Sequence, residues 1–392
     1  MSNAGSTSQI EAAASQALAR GDALGARKIF ERLVTQEPRA VSAWLGLSRA
    51  CHALNDSDAS LAAADRALAL DPRDLRALLL KGDVYSGRGE ERTACTFYTA
   101  ALRQAAALQS ASPDLINELR RAKTATERYA ANYEAHLRAR LADSGFDAQS
   151  SSQRFAQSID LMLGKKRVYM QQPSQYYFPE LPQVQFYDRK DFPWVEAIEA
   201  ATDDIRAELM NVLKDEDAFR PYVERVPNRP PPDDASMAGN PDWGAYFLWK
   251  DGKLVPEHAA RCPKTVRAVE NAPLCRIPNR TPSVLFSRLK PGARIPPHTG
   301  YINTRLICHL PLIVPEKCFF RVGNDERQWT VGKTLLFDDT IEHEARNDST
   351  ETRVVLIFEI WRPELTIEEQ RLVAATLEAI DTYGSGAAPW GT

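Results

Sequence analysis

Six histidines and six cysteines are the residues of this 392-residue sequence best able to bind a metal or act as nucleophiles. The cysteines, at 51, 95, 262, 275, 308 and 318, form no CxxC pair, which argues against a thiolate zinc site, and nothing in the chain suggests a disulfide framework. A metal would then be held by imidazole and carboxylate. Three histidines fall between 298 and 343, in the runs His298-Thr299-Gly300 and Asp338-Asp339-Thr340-Ile341-Glu342-His343. Two imidazoles from separate strands, joined by a carboxylate, form the three-sided iron site that leaves positions open for a co-substrate and oxygen. The carboxylate normally stands two residues after the first histidine, and here that residue is Gly300, so the pattern is incomplete. Asp338, Asp339, Glu342 and Glu344 are nearby carboxylates able to orient a ligand imidazole or hydrogen-bond to what the metal carries. Arg353 opens the run Arg-Val-Val-Leu-Ile-Phe-Glu-Ile-Trp, whose alternation sets Arg353, Val355 and Ile357 on one face. A guanidinium among apolar neighbours needs a partner, and its planar fork suits a carboxylate such as the far end of 2-oxoglutarate. The same alternation sets Arg305, Ile307 and His309 on one face.

Short apolar runs separated by turn signals supply the elements that must position these residues. They are Ala245 to Trp249, Ser283 to Leu289, Thr304 to Leu312, Cys318 to Val322, Thr334 to Phe337 and Arg353 to Trp361. Such spacing implies a β-sandwich or barrel, read here as a jelly roll with flanking helices. One helix is expected to start near Pro193 and run through Ile198, Ile205, Leu209 and Leu213. The stretch from Val226 to Trp243, with five prolines, reads as a long loop or lid. Trp243 and Trp249 read as core residues, with the substrate entrance as the other place for them. His258 is assigned to the surface, and His52 and His136 to structural or solvent-facing positions.

The first hundred residues are of another kind. A stride of 34 joins Gly21, Asn55 and Gly89, then Ala26, Ser60 and Ala94, and again Phe30, Ala64 and Tyr98. Small residues at helix crossings, an aromatic or apolar packer four later and a proline at the end of the second helix resemble the tetratricopeptide repeat. Ser112-Pro113-Asp114 then starts a long capping helix whose apolar face carries Leu115, Leu119, Ala122, Tyr129, Tyr133 and Leu137. From Gly145 to Gln153 the chain is polar and serine-rich, a break before the second half. The net charge of −3 gives no electrostatic reason to bind nucleic acid. No run approaches a membrane span and no leader is evident, so a cytoplasmic location is expected.

The runs FSRLKPGARIPPHTGYINTRLICHLPL, RVGNDERQWTVGKTLLFDDTIEHEARN and RVVLIFEIWRPELT resemble the aspartyl/asparaginyl β-hydroxylases, which are Fe(II)/2-oxoglutarate oxygenases. The segment QYYFPELPQVQFYDRKDFPWV is similar to the entry of that family's catalytic domain. The resemblance implies iron held by His298 and His343 with glycine in the carboxylate's place. It further implies 2-oxoglutarate and O2 as co-substrates, with Arg353 and Ser287 on the distal carboxylate and His309 near the chelating end. Arg305 is the implied substrate contact, whereas Ile307 stands where the animal enzymes have arginine. The expected chain is α+β: helical repeats over 1–107, a capping helix and linker over 108–165, a double-stranded β-helix oxygenase over 166–370, and a C-terminal helix and tail over 371–392. The expected activity is β-hydroxylation of an aspartyl or asparaginyl residue in a peptide or protein recruited by the repeats. A free amino acid, a nonribosomal peptide or a lipid acyl chain is the alternative substrate. A non-catalytic repeat scaffold is the alternative of another class.

Overall fold

The computed structural model describes residues 3–147, 149–224 and 238–383, divided into compact units at Lys165 and Lys166. The first unit is helical: α1 (Asn3–Ala19), α2 (Ala23–Gln36), α3 (Val41–Ala53), α4 (Ser57–Leu70), α5 (Leu75–Gly87), α6 (Glu91–Ala105), α7 (Pro113–Asp143) and α8 (Gln153–Met162). The stride of 34 has a direct physical cause. Gly21, Asn55 and Gly89 all adopt the left-handed backbone region, which glycine and asparagine enter at least cost. Five residues on, Ala26, Ser60 and Ala94 are fully buried where helices cross, and Phe30, Ala64 and Tyr98 are buried one turn later. Asp22, Asp56 and Asp74 cap α2, α4 and α5 by accepting from Gly25, Ala59 and Ala77. Ser112 caps α7, with Pro113 in its first turn. Ala122 and Tyr129 bury against α5 and α6, but Tyr133 is exposed, so the apolar face of α7 ends before the sequence pattern does. The polar segment after Gly145 leads into α8, a helix not foreseen from composition.

In the second unit the strands are β1 (Phe186–Tyr187), β2 (Arg220–Pro221), β3 (Trp243–Lys250), β4 (Lys253–Leu254), β5 (Val284–Leu289) and β6 (Arg294–His298). They continue with β7 (Arg305–Ile313), β8 (Cys318–Val322), β9 (Asp325–Arg327), β10 (Leu335–Phe337), β11 (His343–Asn347) and β12 (Arg353–Trp361). The larger sheet runs β1-β10-β7-β12-β5-β3-β2 with β4 hairpinned on β3, and the smaller runs β6-β11-β8-β9, all antiparallel. Its helices are α9 (Val195–Ala200), α10 (Thr202–Val212), α11 (Pro256–Arg261), α12 (Pro263–Val269) and α13 (Ile367–Thr382). The single helix expected from Pro193 is thus two, broken at Ala201, whose backbone leaves the helical region.

Both faces of the larger sheet are covered. Leu306, Cys308, Leu310 and Leu312 of β7, with Val354, Leu356, Phe358 and Ile360 of β12, pack against Ile198, Ile205, Leu209 and Val269 of the helices. The alternate residues face the smaller sheet, where Leu285, Ile307, Val355 and Ile357 meet Ile295, Phe320 and Ala345. A strand covered on both sides reads as a continuous apolar run. Polar residues inside such a run are therefore conspicuous, and the buried ones in β5, β7 and β12 are Ser287, Arg305, His309, Arg353 and Glu359. On the far side α13, started by a capping box between Thr366 and Glu369, buries Val373 and Leu377 against Cys275, Ile277 and Ile302.

Candidate functional site

A cavity of about 110 Å³ opens between the sheets, and every residue assigned above to metal, co-substrate or substrate lines it: His298, His343, Arg353, Ser287, His309 and Arg305. His298 ends β6 and His343 starts β11, and the two residues pair directly with ring centroids 4.1 Å apart. The local device is a bulge. His343 pairs with His298 but Ala345 pairs with Ile295, so the β6 side carries one extra residue at Pro296-Pro297. Proline cannot donate to a ladder, and the additional residue turns His298 onto the face that Ile295 already buries, which strict alternation would forbid.

The imidazole Nδ1 of His298 lies 2.8 Å from the Pro296 carbonyl and that of His343 lies 3.1 Å from the Ile341 carbonyl. A carbonyl only accepts, so each Nδ1 carries its hydrogen and each Nε2 keeps a lone pair for a metal. Burial lowers the pKa of His298, against the Pro296 carbonyl and Asp339, and burial together with neighbouring His298 holds His343 well below the ordinary range. Both are neutral, as metal ligation requires. Among the described residues no group of three or more His, Cys, Asp or Glu side chains stands ready to hold a metal, so this pair of imidazoles is the set on offer.

Gly300 stands where the sequence pattern lacks its carboxylate, and the packing around it shows why. A Cβ there would overlap the carboxylate of Asp339, and the Gly300 amide donates to the Asp339 carbonyl at 2.7 Å. Asp339 therefore fills the space into which a side chain at 300 would grow. Its Oδ2 meets Arg305 at 3.1 Å, and its buried Oδ1 has no hydrogen-bond partner. The carboxylates suggested from sequence as partners for the imidazoles do not serve that role. Asp338 pairs with Arg362, Glu342 and Glu344 pair with Arg321, and main-chain carbonyls orient both rings.

Arg353 is 1% exposed, lies 4.7 Å over the Trp329 ring and donates to the Ser287 carbonyl at 3.4 Å, while its Nε has no partner. No carboxylate pairs with it among the described residues, and burial lowers its pKa to about 10. His309 shares this end of the cavity. Burial and the Arg353 charge hold it well below its ordinary pKa, and its Nδ1 is unpartnered. The Ser287 hydroxyl accepts from the Trp243 indole at 3.2 Å and keeps its own hydrogen to donate.

Arg305 is differently placed. Its fork is taken by Glu359 and Asp339, and although burial works to lower its pKa, those carboxylates outweigh it and raise it above the ordinary value. It reaches the cavity as part of a compensated cluster, not as a free cation. Glu359 was missed from sequence, though its signal was present: an acid on the inward alternation of β12 with Arg353. Tyr222 was missed as well; it stacks on Trp243 with centroids 4.3 Å apart. Trp243 lines the cavity, while Trp249 belongs to the helix-side core. His258, assigned to the surface, is part-buried, stacked on Tyr246 and bonded to the Phe247 carbonyl at 2.7 Å. His52 and His136 lie on α3 and α7. Of the expected lid, residues 226–237 lie outside the described residues.

Residues 199–363 match the aspartyl/asparaginyl β-hydroxylase family and residues 17–91 match the tetratricopeptide repeat. The chain is similar to human aspartyl/asparaginyl beta-hydroxylase, 35% identical over 37% of this chain and 19% of that protein. It is also similar to the ornithine lipid ester-linked acyl 2-hydroxylase of Rhizobium tropici, 37% identical over 45% of this chain and 60% of that one. Human aspartate beta-hydroxylase domain-containing protein 2 is 28% identical over 52% and 54% of the respective lengths. The chain spans less than two thirds of each of these relatives. No described helix is long and apolar enough to cross a membrane. Behind a segment that matches the tetratricopeptide repeat, the chain thus carries a segment similar to the aspartyl/asparaginyl β-hydroxylases.

Proposed function

We propose that this chain is an Fe(II)/2-oxoglutarate-dependent hydroxylase acting on an aspartyl or asparaginyl residue of a peptide or protein recruited through its helical repeats. The observation that carries this reading is one cavity holding two neutral imidazoles with free Nε2 atoms at one end and a buried, carboxylate-free guanidinium at the other. Bound iron would supply the chemistry that replaces a C–H hydrogen by hydroxyl, with O2 consumed and 2-oxoglutarate converted to succinate and CO2. His298 and His343 would hold the metal through Nε2. Arg353 would receive the distal carboxylate of 2-oxoglutarate, with the Ser287 hydroxyl as a second donor and His309 beside it. Asp339 Oδ1 offers an acceptor at the metal end, and Trp243, Phe320 and Phe337 exclude water. The charges fit: Arg305 against Asp339 and Glu359 leaves one negative charge, Arg353 adds one positive, and a divalent metal with a dianionic keto acid adds none.

A second substrate reading, hydroxylation of an acyl chain, is favoured by Ile307, which lines the cavity with Val223, Leu285 and Ile357, and by the likeness to the Rhizobium acyl hydroxylase. The test is succinate formation from 2-oxoglutarate with Fe(II) and O2, with mass spectrometry of peptides and of ornithine lipids for gain of one oxygen. Hydroxylated peptide supports the first reading and hydroxylated lipid the second. His343→Ala is expected to abolish turnover, and turnover that survives it would sink both.

A further inference from the structure

Asp338 and Arg362 form an ion pair of 2.7 Å in which both side chains are fully inaccessible, and neither lines the cavity. Replacing such a pair by apolar residues of similar volume is often neutral or stabilising, so stability alone is a weak reason for its presence. Its neighbours suggest another. Asp338 Oδ2 accepts from Arg362 and from Gln171 Nε2 at 2.6 Å, while Oδ1 accepts from the Thr340 amide at 3.0 Å and the Thr340 hydroxyl at 2.5 Å. The bonds to Thr340 close a local turn through the side chain. Arg362 in turn donates to the Pro182 carbonyl at 2.9 Å and to Tyr187, and its amide donates to the Thr304 carbonyl at 3.2 Å. The guanidinium also donates to the Asn303 carbonyl at 3.4 Å, so Arg362 ties the turn after β10 to the entry of β7 and to the segment before β1.

That turn carries three contacts on which the cavity depends. The Asp339 carbonyl accepts from Gly300, the Asp339 carboxylate meets Arg305, and the Ile341 carbonyl fixes Nδ1 of His343. With Asp338 anchored away from the cavity, Asp339 is presented into it and the Ile341 carbonyl is aimed at the imidazole. We propose that the Asp338–Arg362 pair is a positioning device for the metal end of the site, holding the turn that orients His343 and presents Asp339. This rests on the metal reading above.

The test is Mn(II) titration of the full chain, followed by electron paramagnetic resonance, beside thermal melting of the metal-free forms. Asp338→Asn and Arg362→Met are expected to weaken Mn(II) binding about tenfold or more, the usual range for partners that orient a ligand. Arg362→Lys, which keeps the charge but not the fork, is expected to recover part of that loss. The control is another buried pair of the same unit, Arg280 with Asp381 at 2.7 Å, which joins α13 to the fold away from the cavity. Asp381→Asn should lower the melting temperature and leave Mn(II) affinity unchanged. If Asp338→Asn does not fold, Arg362→Lys against Asp381→Asn carries the same comparison. Wild-type Mn(II) affinity in the Asp338 and Arg362 variants, or an equal loss in Asp381→Asn, would overturn the proposal. A wild-type chain that takes no Mn(II) would instead overturn the metal reading itself.

Discussion

Arg353 holds a positive charge against an indole face with no acid beside it, an arrangement that costs stability unless a ligand completes it. Arg353→Met should therefore leave the metal-free protein no less stable by thermal melting, while the stabilisation that 2-oxoglutarate confers on the wild type disappears. A variant that melts lower and still responds to 2-oxoglutarate would mean that the guanidinium is a structural strut. His309 gives a pH signature. Its folded pKa is well below 6.5, so as pH falls through the unfolded value the unfolded chain binds the extra proton and stability is lost. The drop in melting temperature below about pH 6.5 should be shallower in His309→Leu than in the wild type. Gly300→Asp, which restores the usual triad on paper, should lose metal affinity, because Asp339 already fills that space. Type and spacing put Arg353, His298 and His343 forward as candidates, and the family resemblance supplied the roles expected of them. Asp339 was one of four candidate acids, and its contacts with Gly300 and Arg305 separate it from Asp338, which pairs with Arg362, and from Glu342 and Glu344, which pair with Arg321.

The strands covered on both faces were legible because continuous apolar runs bounded by Gly and Pro have few other readings. Arg353–Trp361 falls where the sequence places it, and Arg305–Ile313 lies one residue from the run Thr304 to Leu312. The two strands that carry the histidines were not, and the reason is physical. Arg-Ile-Pro-Pro-His in β6 and His-Glu-Ala-Arg-Asn in β11 have neither strong alternation nor β-branched enrichment, since one is bulged and both belong to a sheet with one solvated face. Helix breaks were equally opaque: nothing in Glu199-Ala200-Ala201-Thr202 announces the end of α9. The larger sheet should bear the greater energetic weight. Phe358→Ala, fully buried between β12 and Trp194, is expected to cost about 3–5 kcal/mol in denaturant unfolding. A cost near that of a surface change would contradict the packing described for that face.

The chain is built as two compact units, residues 1–165 and 166–392, each with its own apolar clusters. Calorimetry of the full chain should accordingly show two unfolding events, and Mn(II) with 2-oxoglutarate should raise only the one assigned to the second unit. A single transition shifted as a whole would show that the units unfold together. The repeat unit was the most legible part of the molecule, because a period repeats the same steric demand at Gly21, Asn55 and Gly89. The main-chain grip on the two imidazoles has a consequence for how such a chain can drift. Where a glutamate or aspartate fixes a ligand ring, one codon change can release it; where the Pro296 and Ile341 carbonyls do so, no side-chain substitution deletes the acceptor. What must be kept is the backbone course itself, through the bulge at Pro296-Pro297 and the turn that Asp338 and Arg362 hold, and relatives of this site are better sought by that course than by the side chains at 296 and 341.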